Sequence, residues 1–260
     1  MREKIEKAML EKDYREITEI YMEKGIVPIL EIFSEYANWR SYFKIKLDGE
    51  IVEKDINLML PLINNILDTK NRDEIEKNFK IILDNYILKI EREKVKKKID
   101  RLSSKEIDKI EKNFFNLLQK NEQAQVIRYG NELFFRNKEK FYETILFYSL
   151  INNKNKTLPL IVLSMINIIE KVGKENYFYP FIIGMRLLGR YPNEFNEYEE
   201  AVNKDGIEYD EISKEIETEK IDIENYGYLK GLKYFNENFN HPKKNIINIL
   251  GMEYIEKRGM

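Results

Sequence analysis

Cysteine is absent from this 260-residue chain, and histidine and tryptophan occur once each. Without thiols there are no disulfides, thiolate nucleophiles, zinc–thiolate sites or iron–sulfur ligands. A single histidine cannot supply the several nitrogen ligands of a zinc site or a His-rich di-iron bundle. A carboxylate-only calcium or magnesium site stays open in principle, but no D-x-D-x-D-G loop supports one. No metal and no cofactor is therefore expected. Charge of one sign is not in excess, since the formal net charge is −2. Nothing global points to nucleic acid or an anionic membrane as partner. Long apolar runs are lacking too. The uncharged stretch Leu158–Ile169 falls well short of the roughly 20 residues a spanning helix needs, and the charged start M-R-E-K-I-E-K has no signal-peptide core. A soluble, cytoplasmic protein without a membrane association is the expectation.

What is present is core-forming material. Hydrophobic residues make up 43% of the chain, with 17 Tyr and 14 Phe, which argues against disorder. Charged residues reach 35%, and Ile (37) and Asn (26) are abundant. AT-rich codon usage produces that bias unaided, so Lys, Asn and Ile abundance carries no functional information.

Nearly every segment reads at helical period. Residues 2–24 place Ile5, Met9, Ile17, Ile20 and Tyr21 on one side, with Gly25 as a stop signal. Pro28 opens a helix over 28–40. Further helices are predicted at 54–69, 72–101, 104–120, 123–136, 138–152, 157–172, 175–190, 194–203, 207–219, 222–239 and 242–257. Ser103-x-x-Glu106 fits a capping box, and Asp73 is placed to cap the helix after it. The exception is 42–52, where Phe43, Ile45 and Leu47 alternate with Lys44 and Lys46 before Asp48-Gly49. That pattern signals a small β-hairpin, although a frayed helix end gives similar letters. The fold class is all-α: a multi-helix antiparallel stack, of which an irregular HEAT-like α-solenoid is one form. The only internal echo, Leu60-Pro61-Leu62-Ile63 against Leu158-Pro159-Leu160-Ile161, fades at once and is not a repeat signature.

The helix over 72–101 changes character midway. Ile75, Phe79, Ile82, Leu83, Tyr86 and Ile90 form an apolar face, after which Glu91–Lys98 keeps only Val95 on it. It thus reads as a bridge between an N-terminal part, 1–102, and a C-terminal part, 103–260. The latter is built around helix 157–172, which is apolar on nearly every side and so must be surrounded.

Candidate chemistry is sparse. His241, before Pro242, has the titration range of a general base, but Asn-His-Pro reads first as a turn or cap. Gly184-Met-Arg-Leu-Leu-Gly189-Arg190 spaces like a phosphate loop and lacks its Lys and Ser/Thr. Asn155-Lys156-Thr157 is a glycosylation sequon, irrelevant without secretion. Charge, however, is segregated: residues 89–101 carry seven Lys/Arg against three acids, and residues 194–225 carry thirteen acids against three Lys. Lys94, Lys96, Lys97, Lys98 and Arg101 are the residues that would track a phosphate backbone, against the plainer reading of a solvated helix with i,i+4 pairs. The acidic stretch suits a basic partner, plain solubility, or pairing with the basic one. Tyr36, Trp39 and Arg40 combine the three residue types that dominate interface energetics, against the plainer reading of a lone Trp that closes the core at a helix end.

The functional expectation is a non-catalytic macromolecule-binding protein, an adaptor, scaffold or inhibitor, with a protein as partner. The alternatives are RNA or DNA binding through 89–101, and an enzyme with a carboxylate, Tyr and Arg site in a helical cavity.

Overall fold

A computed structural model describes residues 1–37, 43–45, 51–53, 57–88, 102–120, 122–152, 155–189, 193–203 and 223–258. Thirteen α-helices make up most of this, so the fold is all-α. Two three-residue strands, β1 (Phe43–Ile45) and β2 (Ile51–Glu53), pair antiparallel with Lys44 opposite Val52. The turn expected at Asp48-Gly49 lies outside the described residues, as does the helix expected at 207–219. No described helix is long and apolar enough to cross a membrane.

The chain divides into two compact units. Unit 1 comprises residues 1–101 and 164–190. It opens with α1 (Arg2–Leu10) and α2 (Tyr14–Lys24) where one helix was expected. The break has a local cause: Lys12 takes the left-handed φ of 58°, and the Asp13 carboxylate then accepts the Glu16 amide at 3.0 Å as a new N-cap. Gly25 ends α2 at φ 74°, a backbone angle that favours glycine. Next come α3 (Val27–Tyr36), α4 (Met59–Asp68) and α5 (Arg72–Asn85).

The α5 helix also departs from expectation. It stops at Asn85 and does not run on toward 101. The Leu88 amide donates to the Tyr36 carbonyl at 2.9 Å, and Ala37 bridges Ile87, so the backbone leaves the helix for an antiparallel pair. Its N-cap is Asn71, which accepts the Asp73 amide, and not Asp73 itself. The core of unit 1 is aliphatic around Phe33 and Phe79, which meet edge-on at 6.4 Å.

Unit 2 comprises residues 102–163 and 191–260. It holds α6 (Ile107–Gln119), α7 (Gln123–Arg136) and α8 (Lys138–Ile151), which pack on one another. The Ser103-x-x-Glu106 box does not form. Glu132 takes both the amide and the hydroxyl of Ser103, and α6 begins three residues later than a Ser103 cap would start it. The next helix, α9 (Leu158–Val172), has its first six residues in unit 2 and the rest in unit 1, where α10 (Phe178–Leu188) follows. Every α9 residue from Leu158 to Ile169 is buried except the half-buried Asn167, as its apolar circumference requires. Unit 2 is completed by α11 (Asn196–Val202), α12 (Ile223–Asn238) and α13 (Lys244–Arg258). Gly227 and Gly231, one turn apart on α12, let it approach Leu160 and Pro159 closely; an added Cβ would come within 2.7 Å and 2.5 Å of their Cβ atoms.

Candidate functional site

Of the residues singled out as binding candidates, Tyr36 is described. It sits at the C-terminal end of α3 with its ring 6% exposed, inside the core of unit 1. Trp39, Arg40, Lys94, Lys96, Lys97, Lys98 and Arg101 lie outside the described residues. The structure nonetheless brings together the points from which the two candidate segments depart. Tyr36–Ala37 pairs with Ile87–Leu88, so Trp39-Arg40 and the basic run 89–101 both begin within a few residues of one antiparallel bridge.

A buried polar cluster lies in unit 2, at residues that the sequence did not single out as a binding site. Lys156, in the short connection between α8 and α9, is 6% exposed. Its Nζ donates to Glu197 Oε2 at 2.9 Å and lies over the rings of Tyr228 (4.7 Å) and Tyr254 (5.7 Å). Glu197 also meets Lys257 at 3.3 Å. Tyr254 donates its hydroxyl to Asn225, and the two tyrosine rings lie 4.5 Å apart. Burial pushes the Glu197 carboxyl up, but Lys156 and Lys257 outweigh it and hold the group below the usual carboxylate range. Burial drives the Tyr228 phenol far above its ordinary value. Among the described residues its hydroxyl has no hydrogen-bond partner, and neither has the buried Asn155 Nδ2. The Asn155 sequon is enclosed as well: Asn155 and Thr157 are each 2% exposed, and Asn155 Oδ1 accepts the Thr157 amide.

Chemically the cluster is a caged cation. An ammonium faced by two aromatic rings and one carboxylate is stabilised by the ring quadrupoles and by the ion pair. It joins four elements: the connection before α9, α11, α12 and α13.

The lone histidine is used in packing. His241 stacks on Phe147 at 4.4 Å, and its Nδ1 accepts the Lys243 amide at 3.1 Å. Burial first, and then the charges of Lys243 and Lys140, lower its pKa to about 4, so it is neutral at pH 7. This is the turn-capping role that Asn-His-Pro suggested. Nearby, Lys140 pairs with Asp108 (2.8 Å) and Glu111 (2.9 Å), and burial beside Glu111 raises the Glu143 carboxyl above its ordinary value. Tyr148 donates to Asn193 Oδ1, whose amide in turn donates to the Leu118 and Gln119 carbonyls at the end of α6. Among the described residues no group of three or more His, Asp or Glu is placed to hold a metal ion.

No protein family, curated protein or solved structure matches this chain. Its functional reading therefore rests on the residues themselves.

Sequence reasoning passed over Lys156 for a physical reason. In Asn153-Lys154-Asn155-Lys156-Thr157 it reads as one more solvated loop lysine, and no local spacing betrays that Tyr228, seventy-two residues away, closes over it.

Proposed function

We propose that the protein is a non-catalytic macromolecule-binding protein, an adaptor, scaffold or inhibitor, that grips a protein partner with unit 1. One observation carries the reading: the pairing of Tyr36–Ala37 with Ile87–Leu88 starts the Trp39-Arg40 step and the basic run 89–101 from one place. Tyr, Trp and Arg supply the residue types that carry binding energy, with Tyr36 as the buried support and Trp39 and Arg40 as the contacts. Lys94, Lys96, Lys97, Lys98 and Arg101 add positive charge in the run that follows Leu88, which selects an acidic protein surface and speeds encounter with it. The internal chemistry of unit 2 supports the same reading. Its Lys156 ammonium and its Tyr148 and Tyr254 hydroxyls tie distant segments together, and His241 caps a turn.

The second reading, RNA or DNA binding, rests on the same lysines. A gel-shift titration over salt separates the two. Nucleic-acid binding by five cations would weaken steeply, by a factor on the order of 10² between 50 and 200 mM salt, whereas the proposed function predicts no shifted complex at physiological salt. A salt-sensitive complex at physiological salt would move the assignment to nucleic acid.

A further inference from the structure

The helix α11 is poorly explained by apolar packing. It has seven residues, and Ala201 is its buried one. A helix of two turns is not stable alone in water, so its docking contacts decide whether it forms. Beside the buried Ala201, those contacts include polar and edge-on ones: Glu197 to Lys156 and Lys257, the Tyr198 ring edge-on to Phe147 at 6.0 Å, and the Tyr198 hydroxyl to Lys243. The Lys156–Glu197 pair stands apart because its cation is buried while its carboxylate is the part that α11 brings, about one-third exposed at 32%. Removing the carboxylate strands a charge between two rings. That penalty exceeds what an exposed ion pair is worth. α11 lies near the start of the acidic stretch 194–225, and directly after it residues 204–222 carry eight of that stretch's thirteen acids.

We propose that α11 is a charge-operated latch: the Lys156 ammonium, caged by Tyr228 and Tyr254, holds Glu197 and with it fixes the start of the acidic stretch on unit 2. The ligand that this cage selects is a primary ammonium. Packing of the lysine's methylenes is secondary to its charge.

Chemical complementation tests the charge directly. Hydrogen exchange of the 196–202 amides is followed in the full-length Lys156→Ala variant, alone and with propylammonium or 1-propanol, which replace the deleted atoms with and without the charge. The latch predicts that Lys156→Ala lowers protection of these amides by about tenfold or more, and that propylammonium restores it while 1-propanol does not. Unchanged protection, or equal rescue by the alcohol, would overturn the proposal. Should Lys156→Ala fail to fold, Glu197→Gln and the double variant Lys156→Met/Glu197→Gln give the same decision. The latch requires the single variant to lose more protection than the double. The reverse order rejects it.

Discussion

At the scale of the residue, ionisable groups in unit 2 are set by what they touch. His241 illustrates this. Its pKa is about 6.5 when unfolded and about 4 in the folded chain, lowered by burial and two lysines. The unfolded state therefore binds the proton first as pH falls. The stability contributed by the neutral ring is complete above pH 6.5 and is lost as pH drops through 4. Because the ring is partly exposed, screening reduces the effect to on the order of 1 kcal/mol. Thermal melts from pH 7 to 4 should show this decline, and His241→Asn, which keeps an acceptor for the Lys243 amide, should flatten that component. An undiminished slope would mean other groups dominate. The Tyr228 hydroxyl makes the opposite case. It is fully buried with no partner among the described residues, so Tyr228→Phe removes a desolvated group and keeps the ring against Lys156. Chemical denaturation should find the variant as stable as the parent or up to about 1 kcal/mol more stable. A loss of 2 kcal/mol would show that the hydroxyl is bonded.

How far such details can be read in advance differs by residue. Asn-His-Pro announced a turn-capping histidine, because a short-range backbone bond within two residues is all that is involved. Lys156, Glu197, Tyr228 and Tyr254 gave no signal. Their meeting depends on how α11, α12 and α13 pack, and helical periodicity is silent on that.

At the scale of the element, periodicity located most helices because it reports the apolar face each must bury. Its errors fell where a single residue's backbone or a tertiary hydrogen bond overrode the pattern. Lys12 divides α1 from α2 by turning left-handed, and Leu88 draws the chain out of α5 toward the Tyr36 carbonyl. Glycines test the packing. Helix propensity alone makes Gly→Ala in a helix favourable by up to about 1 kcal/mol. Gly231→Ala and Gly227→Ala should instead destabilise by about 1–3 kcal/mol, since the new methyl meets Cβ atoms of Pro159 and Leu160 at 2.5 and 2.7 Å. Gly184→Ala should cost less, because the atom its Cβ meets first is the movable sulfur of Met165. Urea midpoints of the three variants give the order, and a stabilised Gly231→Ala would contradict the close approach of α12 to the start of α9.

At the scale of the whole molecule, charge is sorted along the chain, with seven basic residues in 89–101 and thirteen acidic ones in 194–225. The interior of each unit is built from short-range pairs and apolar packing. In the proposed function the basic and aromatic segments of unit 1 grip an acidic protein. The most direct measurement is affinity purification at physiological salt with nuclease treatment, using the parent chain and a Trp39→Ala/Arg40→Ala variant of unchanged melting temperature. Any recovered protein is then purified and titrated against both. The expected result is an acidic protein that survives nuclease and binds the variant at least about tenfold more weakly. Recovery of nucleic acid alone, or of a protein that binds parent and variant equally, would contradict it.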